Sequence, residues 1–218
     1  MSETTEQVIS GLEGVLACES SIAFIDGTIP ELSFRGYLIE EIAQTLTFEQ
    51  ITHLLWYDRI PQGNDLQVFC DDLAARRELP DSLLDMLRQL PSSAHPMSGL
   101  RTAVSMLGAM DEHADDISYE ANLQKAKDLT AKLPTIVAAQ ARLQKGQEPI
   151  APDPALGHAA NYYYMLTGEQ PDEMTSRTFD TTLILYAEHE TNASTFACRV
   201  VWVRPQTSTL LWSPVLAL

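Results

Sequence analysis

Residues 159–201 read AANYYYMLTGEQPDEMTSRTFDTTLILYAEHETNASTFACRVV and determine the fold class of this chain. Apolar residues in this stretch recur every three or four positions, which is the spacing of one buried face of an α-helix. The spacing predicts a helix over 154–167 that ends at Gly168, and a second helix over 171–188. We therefore expect the C-terminal part of the chain to be helical.

Helical spacing continues toward the N-terminus as far as Tyr37. Pro134 lies inside the longest of these patterns, so we expect a kink or a break near Leu133. No internal repeat or linker interrupts the chain, which indicates one domain or a piece of one. The helical patterns outside the opening stretch are Leu38–Leu46, Ile51–Leu55, Asp65–Arg77 after an Asn64-Asp65 cap, Pro80–Leu90, Met97–Met110 and Tyr119–Lys145.

A different pattern precedes these helices. Residues 20–35, SSIAFIDGTIPELSFR, contain two short β-prone runs on either side of Asp26-Gly27. This dipeptide readily takes the positive φ angles of a tight turn. The sequence therefore predicts an all-α fold with a small N-terminal β-hairpin.

The composition disfavours several classes of protein. Lys and Arg total 14 against 30 Asp and Glu, a formal net charge of -16, which argues against a nucleic acid partner. Cys18, Cys70 and Cys198 are odd in number and far apart, so neither a disulfide framework nor a metal cluster is predicted. The N-terminus lacks a signal-peptide pattern and no apolar run reaches about 18 residues, so we expect a cytoplasmic protein without a membrane span.

His189 is the residue that the chemistry singles out as a candidate site. It lies between Glu188 and Glu190, and neighbouring carboxylates favour a charged imidazole that could bind a dicarboxylate. A lone histidine is poor evidence for a site, and the residues by themselves favour a structural role for it. Ala193 occupies the position where the zinc-protease pattern needs a second histidine, so no metal site is predicted.

Three segments, in their order along the chain, resemble the citrate synthase family. They are GLEGVLACESSIAFIDGTIPELSFRGYLIEEIA at 11–43, SAHPMSGLRTAVSML at 93–107, and the pair AANYYYMLTGEQPD and LYAEHETNASTFACRVV within 159–201. The likeness is continuous from about residue 11 to Val201, and its last segment is the most specific. The resemblance implies that residues 1–201 form the N-terminal part of the family's multi-helical large domain.

The resemblance also implies an activity, the condensation of acetyl-CoA with oxaloacetate to citrate and CoA, an acyl transfer of the tricarboxylic acid cycle. In the family, the histidine that matches His189 helps to hold oxaloacetate, and Asn192 is expected to orient that site. The family's catalytic histidines and aspartate lie in Gly-Pro-Leu-His-Gly-Gly, Gly-x-Gly-His and Asp-Phe or Asp-Tyr motifs, none of which occurs in these 218 residues. We therefore assign no catalytic residue, no metal and no cofactor, since both small molecules would be substrates.

Residues 202–218, WVRPQTSTLLWSPVLAL, depart from the family, which continues with a Ser-Thr-x-x-Asp-x-Tyr-Ser-Ala helix. Pro205 and Pro214 would break such a helix. If suitable synonymous codons are chosen for this tail and the bases are then read one nucleotide out of frame, the new translation matches the family's pattern. We therefore expect a frameshifted tail on a truncated citrate synthase that is inactive alone.

Two other functions stay open. One is the synthesis of 2-methylcitrate from propionyl-CoA, since close relatives share the same motifs in this half. The other is a non-enzymatic helical protein that assembles with other subunits. Full-length members of the family are homodimers or larger, so a homo-oligomer is expected in either case. An unrelated all-α binding domain would require three ordered matches to be coincidence.

Overall fold

The computed structural model describes residues 20–26, 28–189 and 194–197. The predicted hairpin is confirmed within this part: β1 (Ala23–Asp26) pairs antiparallel with β2 (Glu31–Phe34). Asp26 pairs with Glu31, so four residues connect the strands. The carboxylate of Asp26 accepts hydrogen bonds from the backbone N–H and the hydroxyl of Thr28, at 2.8 and 2.6 Å. This Asx-type turn orders the described part of the connection.

A third strand was missed by the sequence analysis, which placed Tyr37 at the start of the helical region. β3 (Tyr37–Leu38) pairs antiparallel with β2 instead. The connecting residues Arg35 and Gly36 both have positive φ, 50° and 84°, which is the two-residue turn that suits a right-handed strand pair. Arginine seldom takes positive φ angles, and the spacing of apolar residues does not reveal such a turn. The strand β3 could therefore not be predicted from that spacing.

Eight helices of seven or more residues follow the sheet in the described ranges, and the described residues 194–197 are helical as well. The predicted all-α class is thus correct, with corrections at several boundaries. The helices are α1 (Ile39–Thr45), α2 (Phe48–Tyr57), α3 (Asn64–Ala75), α4 (Asp81–Gln89), α5 (Pro96–Met110), α6 (Tyr119–Gln144), α7 (His158–Thr167) and α8 (Glu173–Leu185).

The structure differs from the prediction at the start of α3, inside α6 and at the end of α8. α3 begins at Asn64 and its N-cap is Gly63, so the predicted Asn64-Asp65 cap does not form. α6 is one continuous helix through Pro134, so of the predicted kink or break near Leu133 the break does not occur, and the kink stays a prediction. α8 ends at Leu185 rather than Glu188, because the backbone N–H of Ala187 turns back to the carbonyl of Ile184 at 3.1 Å.

In the part of the chain that the structure describes, three apolar clusters form the core, and the smallest joins α3 and α6 through Phe69, Leu73 and Ala131. The first joins α4, α5 and α6 through Leu83, Leu87, Val104, Leu107 and Ile136. The second joins the sheet, α1, α2 and α8 through Phe34, Ile39, Ile42, Ile51 and Ile184. Non-directional apolar burial of this kind supplies most of the driving force for folding.

α5 and α6 approach closely at Gly99. A Cβ atom at this position would lie 2.5 Å from the amide nitrogen of Gln140, so only glycine fits while that side chain stays in place. The amide of Gln140 donates to the carbonyl of Pro96 at 3.0 Å, which holds it there. None of the helices in the described ranges has the length and hydropathy needed to cross a membrane. The tail 202–218 lies outside those ranges.

Candidate functional site

His189 follows α8 by four residues, and its side chain is exposed. Asn192, the second predicted site residue, lies outside the described residues, so its proposed role stays a prediction. The position of His189 depends on how α8 is held, because the chain leaves the helix at Leu185. The contacts of α8 therefore define the surroundings of the candidate site.

Apolar contacts fix one side of α8. Ile184 is fully buried in the second core cluster, beside Phe34 and Ile51. Ala187, two residues before His189, also packs against this cluster. The helix end that precedes His189 thus lies against the sheet, α1 and α2.

Polar contacts fix the same helix one to two turns earlier. Asp180 is only 8% exposed and accepts a hydrogen bond from the backbone N–H of Phe48, the first residue of α2, at 2.8 Å. Its other carboxylate oxygen contacts the guanidinium of Arg177 at 2.9 Å. That guanidinium donates to the carbonyls of Ala43 and Leu46 at the end of α1, both at 2.7 Å. Arg177 and Asp180 therefore bind backbone groups at the end of α1 and the start of α2, which have no partner within their own helices.

A second buried polar cluster lies at the start of α7. Glu49 on α2 and His158 on α7 are each about 4% exposed. The carboxylate of Glu49 accepts the backbone N–H of His158 at 2.7 Å. Gly157, the N-cap residue of α7, has no side chain to make this bond, so Glu49 caps the helix from another element.

Arg77 completes this cluster and is only 2% exposed. Its guanidinium donates to the carbonyls of Leu156 and Asp153, at 2.7 and 3.2 Å. The backbone N–H of Asp153 donates in turn to the side chain of Asn161 at 2.8 Å. These bonds hold residues 153–157 as a turn, and they explain why α7 begins at His158 rather than at the predicted Pro154.

The charge states in this cluster follow from burial. Burial lowers the pKa of His158 to about 4, and the positive charge of Arg77 acts in the same direction. The ring stacks on Phe48 with a centroid distance of 4.8 Å, and its Nδ1 has no hydrogen-bond partner. His158 is therefore a neutral core residue at neutral pH. Burial also disfavours the charged form of Asp180 and so raises the pKa of its carboxyl group.

Two tyrosines of α7 and Cys70 occupy structural positions rather than a site. Tyr162 and Tyr163 contact Phe179 on α8 edge to face, with ring centroids 6.2 and 5.3 Å apart, and so pack α7 against α8. Burial raises the pKa of the Cys70 thiol to about 11, so this cysteine is protonated at neutral pH. In the described part of the chain, no group of three or more His, Cys, Asp or Glu residues could hold a metal.

The polar residues that hold α8 and α7 in place were not predicted from the sequence. They are Arg177, Asp180, Glu49 and Arg77, and none of them was assigned a role. One signal was present at Asp180, which immediately follows Phe179 and precedes the apolar run of α8. Charge alone does not reveal that a side chain is buried, because the partner groups are backbone atoms 76 to 134 residues away.

An open face lies along α8 from Asp172 to Thr182 and is lined by residues of that helix and its N-cap alone. Met174 lies on this face and is 79% exposed. Leu185 and Tyr186, at the end of the same helix, are 49% and 85% exposed. Large apolar side chains exposed along one helix are typical of a surface that packs against further protein.

The comparisons with known proteins agree with this fold. The family model described as "Citrate synthase, C-terminal domain" matches residues 11–203. Citrate synthase from Haloferax volcanii is 47% identical over 194 residues, which cover 87% of this chain and 51% of that protein. A 2-methylcitrate synthase from Mycobacterium tuberculosis is 42% identical over 191 residues, which cover 88% of this chain and 48% of that protein.

Solved structures give the same result in three dimensions. The crystal structure of citrate synthase from Pyrobaculum aerophilum has a TM-score of 0.84 and 39% identity to this chain. The match covers 94% of this chain and 53% of that structure, so the chain spans about half the length of the relatives it matches. The polar network around α8 and α7 therefore lies within a shared fold, and the chain belongs to the citrate synthase family.

Proposed function

We propose that this chain supplies the oxaloacetate-holding part of a citrate synthase-type condensing enzyme, with His189 as the imidazole that binds the dicarboxylate. The observation that carries this proposal is the place of His189 in a family match that runs over residues 11–203. Its exposed side chain follows a helix that apolar and polar contacts both hold. Asn192 is proposed to orient the bound substrate beside it.

The proposed reaction joins two carbon atoms. A base removes a proton from the acetyl methyl group, the resulting enol attacks the ketone of oxaloacetate, and water then cleaves the thioester. Proton abstraction of this kind needs a base and an electrophile in place together. The family motifs for both groups are absent from the 218 residues, so His189 is assigned to substrate binding alone. No turnover is expected from this chain by itself.

The acyl substrate is proposed to be acetyl-CoA or propionyl-CoA. One relative is named a citrate synthase and another a 2-methylcitrate synthase, at 47% and 42% identity. Both reactions consume oxaloacetate, so the proposed role of His189 is the same in the two cases.

The experiment has a binding arm and a turnover arm. Oxaloacetate is titrated into the purified 218-residue chain by calorimetry, beside the variants His189→Ala and His113→Ala, the second of which removes another exposed histidine. We expect the wild type and His113→Ala to bind alike and His189→Ala to lose binding. Free CoA thiol is then measured with oxaloacetate and either acyl-CoA. Binding that survives in His189→Ala, or thiol release by the chain alone, would contradict the proposal.

A role in assembly is the second candidate, and the exposed apolar residues of α8 favour it. We propose that Met174, Leu185 and Tyr186 contact further protein, in a homo-oligomer or with another subunit of the family. Light scattering after size-exclusion chromatography measures the mass of the particle. Replacing Met174 and Tyr186 by serine should lower that mass if this surface mediates assembly. An unchanged mass would exclude these residues from the contact.

A further inference from the structure

Arg177 and Asp180 are three residues apart on α8 and face the corner between α1 and α2. Asp180 receives the first backbone N–H of α2, at Phe48, at 2.8 Å. Arg177 donates to the last carbonyls of the α1 region, those of Ala43 and Leu46, at 2.7 Å. The two side chains also contact each other at 2.9 Å. One pair of residues thus joins α8 to both sides of the corner.

These bonds fix the position of α8 along its own axis. A slip by one residue would move the side chains by about 1.5 Å along the axis and turn them by about 100°. Hydrogen bonds of 2.7 to 2.9 Å do not survive such a shift. Apolar contacts such as those of Ile184 also resist the turn, but they are less sensitive than hydrogen bonds to small displacements along the axis. The polar pair therefore adds a directional constraint to the packing of the apolar core.

The register of α8 determines where His189 lies. Asp180 precedes His189 by nine residues, and the helix ends at Leu185 between them. We infer that the Arg177–Asp180 pair is the positioning element for His189, because it fixes α8 against the α1–α2 corner and so places the imidazole for a dicarboxylate ligand. This inference rests on the proposed role of His189 in binding oxaloacetate.

The test uses the full 218-residue chain with isotope-labelled histidine, so that NMR reports the imidazole of His189 directly. Asp180→Ala removes the acceptor for Phe48 and the partner of Arg177. Asp180→Asn keeps a neutral acceptor for Phe48, and Arg177→Met keeps the length of the side chain without its donors. Each variant is titrated with oxaloacetate, and its unfolding midpoint in urea is measured.

Leu83→Ala is the matched control. It removes a fully buried side chain from the first core cluster, which does not include α8, and therefore destabilises the chain without touching the corner. We expect Asp180→Ala and Arg177→Met to shift the His189 signals and to weaken oxaloacetate binding by about tenfold or more. Asp180→Asn should lose less, and Leu83→Ala should bind like the wild type.

Two results would overturn the inference alone. One is an unmoved His189 signal with unchanged affinity in Arg177→Met and Asp180→Ala, while His189→Ala loses binding. The other is an equal loss of affinity in Leu83→Ala at equal loss of stability, which would indicate a general structural effect. Unchanged binding in His189→Ala would instead remove the proposed function on which the inference rests.

Discussion

The carboxylate of Glu49 accepts the backbone N–H of His158 at 2.7 Å, across 109 residues of sequence. A glutamate on α2 thereby caps the start of α7, where the glycine at the N-cap has no side chain to do so. This relationship ties together two helices that lie in different halves of the described chain. It also places a charged hydrogen bond inside the core, where its loss is costly.

Glu49→Ala should therefore lower the free energy of unfolding by about 2 to 3 kcal/mol, since it leaves the buried N–H of His158 without its acceptor and the buried charge of Arg77 without a nearby carboxylate. Glu49→Gln keeps an acceptor oxygen and should cost less. Denaturation in urea measures both. Glu112→Ala, at an exposed glutamate, is the control and should change little. Equal stability of Glu49→Ala and Glu112→Ala would show that the cap contributes nothing.

His158 should make the protein acid-labile. Its pKa is near 6.5 in the unfolded chain and about 4 in the fold, where burial disfavours the charged ring. Between these values the unfolded state holds the additional proton, so stability falls as pH decreases from 6.5 to 4, by about 3 kcal/mol in total. Above pH 6.5 this contribution is fully present.

The measurement is the free energy of unfolding at several pH values between 4 and 7. His158→Phe keeps an aromatic ring beside Phe48 and removes the titrating group, so its stability should fall less steeply over this range. His113→Ala removes an exposed histidine and should follow the wild-type curve. If His158→Phe ran parallel to the wild type, the neutral buried state of His158 would be refuted.

Gly99→Ala should destabilise the contact between α5 and α6 by about 1 to 2 kcal/mol, because the added methyl group displaces the amide of Gln140 from the carbonyl of Pro96. The same substitution in a Gln140→Ala background should be neutral or stabilising, since alanine favours helix more than glycine does. Urea denaturation of the four proteins gives the coupling energy. Purely additive effects would contradict this account.

Salt should stabilise the chain at low ionic strength. A net charge of -16 produces repulsion within the fold, and added ions screen it. We expect the melting temperature to rise as KCl increases from about 0.02 to 0.3 M, the range in which screening of surface charges develops most. Replacing Glu78, Glu112 and Glu169 by glutamine removes three exposed charges and should reduce the rise. If the melting temperature of the triple variant rose with salt as much as that of the wild type, net charge would not be the cause of the rise.

Much of the fold could be predicted from the sequence because apolar spacing reports directly on buried helix faces. The end of α7 at Gly168 follows from its left-handed φ of 85°, which glycine takes without strain. The start of α7 could not be predicted in the same way. It depends on Arg77 and Glu49, whose bonds join residues far apart in sequence.

The candidate site shows the same division. His189 is identifiable from its sequence neighbours and from the family resemblance, both of which are local. Arg177 and Asp180 are not, since their partners are backbone groups of Ala43, Leu46 and Phe48. Backbone atoms carry no sequence signal, so any residue that binds them looks like an ordinary surface charge.

The bond between Phe48 and Asp180 spans 132 residues, which has a consequence during synthesis. At translation rates of about 5 to 20 residues per second, Asp180 is made roughly 7 to 26 s after Phe48. Throughout that interval the corner between α1 and α2 lacks its hydrogen-bond partners on α8. Its backbone groups are therefore completed only after α8 has left the ribosome.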